Sequence, residues 1–473
     1  MPMPFRKINT AATDIDFAGI RRDLEIPAGY PQPAVDEAVQ IAQHLPTAPD
    51  DATDIPFVTL DPVGSKDLDQ AVHLEAGPDG GYLVRYAIAD VASYVGAGGA
   101  VDAESRRRGQ TYYSPDLISP LHPFELSEGA ASLLPDQIRA AVLWTITLDA
   151  SGAPTDVRLT RSMVRSVAQL DYPGAQADAD AGRLHPSIAL LPEVGKLRLA
   201  AARARHAISL DLPDVEVQRG PDGNWTLELR AVLPIEQWNA EISLLTGMCA
   251  ATIMLGGGYG VLRTLPEPSD RDVARLRKET AALGIPWSDE LPPGDVIAGL
   301  DGSKPADAAF LQDALKLLRG AGYTPFTGTP PADHSHAGVG APYAHVTAPL
   351  RRLVDRFGTE ICLAQVAGTE VPDWVRSSLD AIADTMEATD RTAHDLERNC
   401  VGVVSAFLLK GREGEQFTGV VVQIDQEKKR ATIAVDEPPI QAKCASDGLT
   451  EGTRVTVELV SVDDRNFEMR AVT

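Results

Sequence analysis

The sequence predicts an α+β protein, with a short mainly helical N-terminal segment, a large mixed domain and a small C-terminal β-barrel of OB type. Three observations predict it. Alternating apolar runs crowd the region from Asp54 to about Arg165, helical periodicity prevails from about Gln169 to Lys410, and five short strand-like runs follow before the C-terminus. A chain of 473 residues suits one large domain with one or two small ones. The expected divisions are 1–53, 54–410 and 411–473.

The first segment carries two helical patterns, Asp16 to Leu24 and Pro33 to His44, parted by the Pro-Ala-Gly-Tyr-Pro turn at 27–31. That leaves room for a compact helix-turn-helix-like cap. Strand patterns then take over: Phe57 to Leu60, Ala71 to Leu74, Tyr82 to Ala89, Ala141 to Leu148 and Val157 to Ser162. Helical patterns follow at Gln169 to Ser209, Ile235 to Leu255, Ser269 to Gly284, Ala306 to Gly320 and Asp373 to Lys410. The closing runs are Phe417 to Ile424, Arg430 to Val435, Ile440 to Ala445, Arg454 to Val462 and Phe467 to Val472.

Between the first two strands lies an irregular loop bearing Asp61, Asp67 and Asp69. A solvated acidic loop is the plain reading. Flanking apolar runs suggest instead that the loop leaves a buried sheet, where three like charges call for a cation. Hard oxygen donors without a nearby Cys point to Mg²⁺ or Mn²⁺. Cys249, Cys362, Cys400 and Cys444 are far apart and show no zinc spacing.

The N-terminus MPMPFRKINT has no long apolar stretch, and no later run approaches about 18 consecutive apolar residues. The expectation is a cytoplasmic protein, monomeric and without a membrane partner. A formal charge of −24 argues against gripping nucleic acid with the whole surface, though a narrow basic channel would suffice. Local basic clusters are Arg106 to Arg108, Arg203 with Arg205 and His206, and Arg351 with Arg352.

DPVGSKDLDQAV, followed by YAIADVASYV from Tyr86 to Val95, resembles the opening of the catalytic RNB domain of the ribonuclease II and ribonuclease R exoribonucleases. HAGVGAPYAHVTAPLRRLVDRF, His336 to Phe357, resembles that family's Tyr-Ala-x-x-Thr-Ser-Pro-Ile-Arg-Arg signature, with Ala348 for Ser and Leu350 for Ile. Two motifs in the family's order are far more specific than one. The resemblance implies 3′-to-5′ hydrolysis of single-stranded RNA to nucleoside 5′-monophosphates with Mg²⁺ or Mn²⁺. It makes Asp61, Asp67 and Asp69 metal ligands, and Asp69 and Arg351 catalytic. Arg351 would follow Pro349 at a helix N-terminus, beside the scissile phosphate. Tyr113, Tyr172, Glu241, Arg352 and Glu397 fall where relatives contact RNA.

There are departures. The family's fourth loop aspartate is Gln70 here, a neutral ligand at best. One metal then binds more weakly yet suffices with substrate phosphates, or Asp90 or Glu241 compensates, or the site is silent and the protein binds RNA or a partner without cutting. Leu210 stands where a clamp phenylalanine is expected, and Gly247 where the pattern has Asn. The first 53 residues cannot hold the tandem cold-shock barrels of relatives. The C-terminal barrel, which guides RNA in the family, carries seven basic against eleven acidic residues from Gly414 on.

Overall fold

The computed structural model describes residues 15–210, 214–220, 223–302 and 304–472. Strands Asp50–Asp61, Gln70–Ala76, Tyr82–Ala89, Ile138–Leu148 and Pro154–Asp171 pair in that order and close into a barrel. Consecutive strands are antiparallel. Closure comes from parallel pairing of the first strand with the last, which sets Asp61 opposite Asp171.

Period-two alternation sorts the side chains into two cores. On one face Val58, Leu60, Val72, Val84, Tyr86, Ile88 and Trp144 pack with Ile242, Leu245, Ala250 and Met254 of the helix Pro234–Gly257 and with Phe357 and Ile361 of the helix Leu353–Ala367. The other face, with Phe57, Ala71, Ala87, Ala141 and Leu143, packs on Ala34 and Ala38 of the helix Gln32–Gln43. The helix Pro234–Gly257 is long and apolar enough to cross a membrane. That apolarity serves the barrel, since Ile235, Ile242, Leu245 and Ala250 are fully buried.

Several expectations are corrected. The last barrel strand runs on to Asp171 through the start of the expected helical region, because pairing with two neighbours outweighs local periodicity. The two N-terminal helices do not pack as a unit. Phe17 and Ile20 of Phe17–Asp23 join Trp225, Leu396 and Val404, with the Phe17 and Trp225 rings edge to face at 5.1 Å, whereas Ala34 and Ala38 lie in the barrel core. Four two-stranded pairings among the described residues were not anticipated, among them the hairpin Asp214–Arg219 with Trp225–Arg230 and the ladder Tyr259–Thr264 with Gly322–Thr327. The second joins segments separated by whole helices, a pairing that no local pattern announces.

Strands Gln416–Asp425, Arg430–Val435, Gln441–Ala445, Arg454–Val462 and Phe467–Ala471 form the C-terminal antiparallel sheet. Its edge strands, Gln441–Ala445 and Phe467–Ala471, approach each other, so the sheet is a nearly closed barrel, as expected. It shares a core with the helix Leu379–Leu409, which follows the short helix Asp373–Arg376.

Candidate active site

Three segments converge at one end of the large barrel: the loop from Asp61 to Gln70, the end of the last strand with Tyr172 beside it, and the turn from Thr347 to Arg352. They line a cavity of about 510 Å³ that includes Asp61, Asp67, Asp69, Gln70, Tyr113, Tyr172 and Arg351. The turn differs from expectation. Pro349 does not open a helix, which begins only at Leu353. Two carboxylates claim the turn's backbone instead: Ala348 N–H donates to Asp355 Oδ1 at 2.7 Å, and Leu350 N–H to Asp69 Oδ1 at 2.7 Å.

Asp69 is only 4% exposed, and its Oδ2 lies 3.5 Å from Arg351 Nε. Burial pushes its carboxyl well above the usual range, against the pull of Arg351 and the Leu350 N–H. Burial likewise raises Asp61 to about 7, with Arg351 opposing and Asp67 adding repulsion. Asp67 accepts from the Tyr113 hydroxyl at 3.4 Å.

Among the described residues, no three acidic, His or Cys groups stand close enough to form a ready cation cage. The donor set nonetheless suits a hard cation. Asp61 Oδ2 is buried with no hydrogen-bond partner, and burial holds the Asp61 and Asp69 carboxyls towards the protonated form even with Arg351 beside them. Mg²⁺ commonly takes only one or two carboxylates and fills its remaining positions with water and substrate oxygens.

The Gln70 amide is already committed to protein partners. Its nitrogen donates to the Thr347 carbonyl at 2.6 Å, and its oxygen accepts from the Tyr86 hydroxyl at 2.7 Å. Neither suggested compensating acid reaches the loop. Asp90 is paired with Arg161 at 2.8 Å, and Glu241 lines a neighbouring cavity of about 410 Å³ with Arg203, Arg205 and Ser209. Burial raises the Glu241 carboxyl, opposed by Arg198 and Arg205, and its Oε2 has no hydrogen-bond partner.

The other expected contacts separate by location. Tyr172 borders both the acidic cavity and the Glu241 cavity. Tyr113 and Arg351 border both the acidic cavity and a third, lined by Arg352, Asp390, His394 and the exposed Glu397. Arg352 is not a free phosphate grip: its Nε and Nη2 bond both oxygens of the fully buried Asp355 carboxylate, at 2.9 and 2.8 Å. Arg351, whose Nε stands 3.5 Å from Asp69, keeps a side chain 46% exposed towards the cavity.

The cluster from Arg106 to Arg108 also resolves. Arg106 pairs with Asp102, Arg107 and Arg108 pair with Glu104, and Arg108 stacks on the Tyr30 ring at 3.9 Å. Leu210 packs against a small helical core around Phe310. Gly247 has a steric reason, since a Cβ there would stand 2.1 Å from the Tyr343 ring. Sequence reasoning missed Tyr86, Thr347 and Asp355. Only Asp355 left a local signal, an acid three residues after Arg352 and so within reach across one helical turn.

Residues 50–359 match the RNB domain and residues 415–470 the RNase II-type exonuclease C-terminal S1 domain. Among curated proteins, the chain is 28% identical over 430 residues to Ribonuclease R of Aquifex aeolicus, covering 86% of this chain and 59% of that protein. It is 28% identical over 360 residues to Ribonuclease R of Escherichia coli, covering 71% and 43%. The chain thus spans about half the length of these relatives. Among solved structures, Mycoplasma genitalium RNase R in complex with ribose-methylated single-stranded RNA superposes with a TM-score of 0.85 at 20% identity, covering 97% of this chain and 78% of that one. Yeast Ssd1, a pseudonuclease, gives 0.72 at 17% identity, covering 95% and 58%.

Proposed function

The chain belongs to the RNB family, and on that premise we propose that it is a 3′-to-5′ exoribonuclease that hydrolyses single-stranded RNA to nucleoside 5′-monophosphates. The observation that carries this reading is the meeting of Asp61, Asp67 and Asp69 with Arg351 in one cavity, from two motifs so distant that Asp69 and Leu350 are 281 positions apart. Asp61, Asp67 and Asp69 would hold Mg²⁺ or Mn²⁺, which when bound supplies an acidified water and charge neutralisation for in-line displacement.

The protein's own groups do the rest. Arg351 directs its N–H groups to the scissile phosphate and stabilises the charge that develops there. Tyr113, 49% exposed on the rim, offers a ring face to a base near the 3′ end. Tyr172 and Glu241 line the adjoining cavity where neighbouring nucleotides would lie, and Glu397 borders the third cavity. Stacking and charge carry no sequence information, so cleavage is independent of sequence. The enzyme acts as a cytoplasmic monomer, and its acidic C-terminal barrel guides RNA weakly.

A second reading has one specific support: Gln70 lowers the loop's charge from four carboxylates to three, and hard cations bind by charge count. On that reading the protein binds RNA without cutting it. Incubation with 5′-labelled single-stranded RNA and Mg²⁺ or Mn²⁺, with an EDTA control, decides between them. Metal-dependent shortening from the 3′ end supports the enzyme, and retained binding without shortening supports the silent protein.

A further inference from the structure

Gln70 is half-buried at the start of its strand, and its two polar ends face groups of opposite kind. The Thr347 carbonyl can only accept, so the amide nitrogen faces it at 2.6 Å. The amide oxygen then faces the Tyr86 hydroxyl at 2.7 Å. Because that hydroxyl gives its single proton to Gln70, Ser243, 2.7 Å from it, must be the donor in the next link. The result is a polar chain of fixed direction from the helix Pro234–Gly257, through the strand Tyr82–Ala89, to the aspartate loop and on to the arginine turn. Tyr86 is 1% exposed and Thr347 3%, so water competes little for these bonds.

We propose that Gln70 is a positioning residue, a tether that sets the distance between the aspartate loop and the turn carrying Arg351, in place of the carboxylate that the family motif has at this position. The inference rests on the exoribonuclease reading for its catalytic consequence, but not for its geometry. Only a group that donates at one end and accepts at the other satisfies both neighbours. An aspartate is acceptor-only and one methylene shorter, so it would lose the Thr347 bond and add a fourth negative charge beside Asp61, Asp67 and Asp69. The other tie between the two segments, Leu350 N–H to Asp69, uses a carboxylate that the reaction itself needs. Gln70 has no such second duty.

The test compares the full chain with Gln70→Leu, Gln70→Asp, Tyr86→Phe and the double variant Gln70→Leu/Tyr86→Phe. Steady-state kinetics on labelled RNA with Mg²⁺ are paired with amide hydrogen exchange of the metal-free proteins. Tyr86→Phe keeps the core ring, so it serves if the Gln70 variants fold poorly. The expected result is a fall in kcat of about tenfold or more for both Gln70 single variants, with KM changed by less than about threefold, since misplacement by about an ångström suffices for such losses. Tyr86→Phe falls in the same direction, and the double variant is no worse than Gln70→Leu, because both changes break one chain. Exchange across residues 347–352 quickens in every variant. Gln70→Asp matching or exceeding wild-type kcat overturns the proposal, as does unchanged exchange in that turn. If wild type shows no turnover, the exoribonuclease reading fails, and the exchange measurement alone decides the tether.

Discussion

Asp355→Ala should be among the most damaging single changes outside the acidic loop. The carboxylate is fully buried and accepts three hydrogen bonds, two from the Arg352 guanidinium and one from Ala348 N–H. Removing one partner of a buried ion pair costs about 3–5 kcal/mol, and a stranded backbone N–H about 1–3 kcal/mol. The Arg352 side chain is 22% exposed, so part of its charge can turn to water, and the two costs overlap as the turn relaxes. A net loss of about 3 kcal/mol follows. A chain of this size is not safely two-state, so the loss is read from native-state hydrogen exchange resolved to the helix Leu353–Ala367, alongside urea denaturation. Asp355→Asn keeps an acceptor for Ala348 but no charge for Arg352, and should lose roughly half as much. A loss below about 1 kcal/mol for Asp355→Ala would refute the claim that this carboxylate holds the turn.

Other outcomes follow from the same geometry. Arg351→Lys keeps the charge but not the fork, and kcat should fall about 10²-fold with little change in KM, measured by single-turnover cleavage. Tyr113→Ala removes a stacking face worth about 1–3 kcal/mol per base, so RNA affinity by fluorescence anisotropy should weaken between about 5-fold and 100-fold. Asp61 gives a pH signature. Its folded pKa of about 7 lies above its ordinary value of 3.8, so its contribution to the metal-free protein is full below the ordinary value and is lost as pH rises towards 7. Calorimetry without metal should therefore show the wild-type Tm falling relative to that of Asp61→Asn over that window, and Mg²⁺ should recover stability at neutral pH.

Much of this was legible in the sequence. The barrel strands, the core helix and the C-terminal barrel follow from periodicities of two and 3.6, which local burial imposes directly. Asp61, Asp67, Asp69 and Arg351 were legible because their motifs are contiguous. What stayed hidden depends on distant pairing. Charge runs say nothing of partners, so the sequence could only name Arg106 to Arg108 as a local basic cluster, and the structure resolves it into ion pairs with Asp102 and Glu104. The helix expected at Pro349 failed because the carboxylates of Asp69 and Asp355 hold the turn backbone, and nothing local records the first of them. Gln70 read as a defect in a metal loop. Its partners, Tyr86 on the neighbouring strand and Thr347 beyond the central helices, give it a different meaning.

The dependence of the cavity on Arg351 and the Leu350 N–H also has a consequence during synthesis. Domains fold as the ribosome extends them, from the N-terminus onward. The barrel can close once Asp171 has emerged, yet the aspartate loop then has neither its cationic counterpart nor the Leu350 N–H that holds Asp69. A nascent chain therefore carries a closed barrel without its arginine turn while the segment between Asp171 and Arg351 is made. The acidic cavity is completed only when the turn bearing Arg351 joins the barrel, with the C-terminal barrel still to be made.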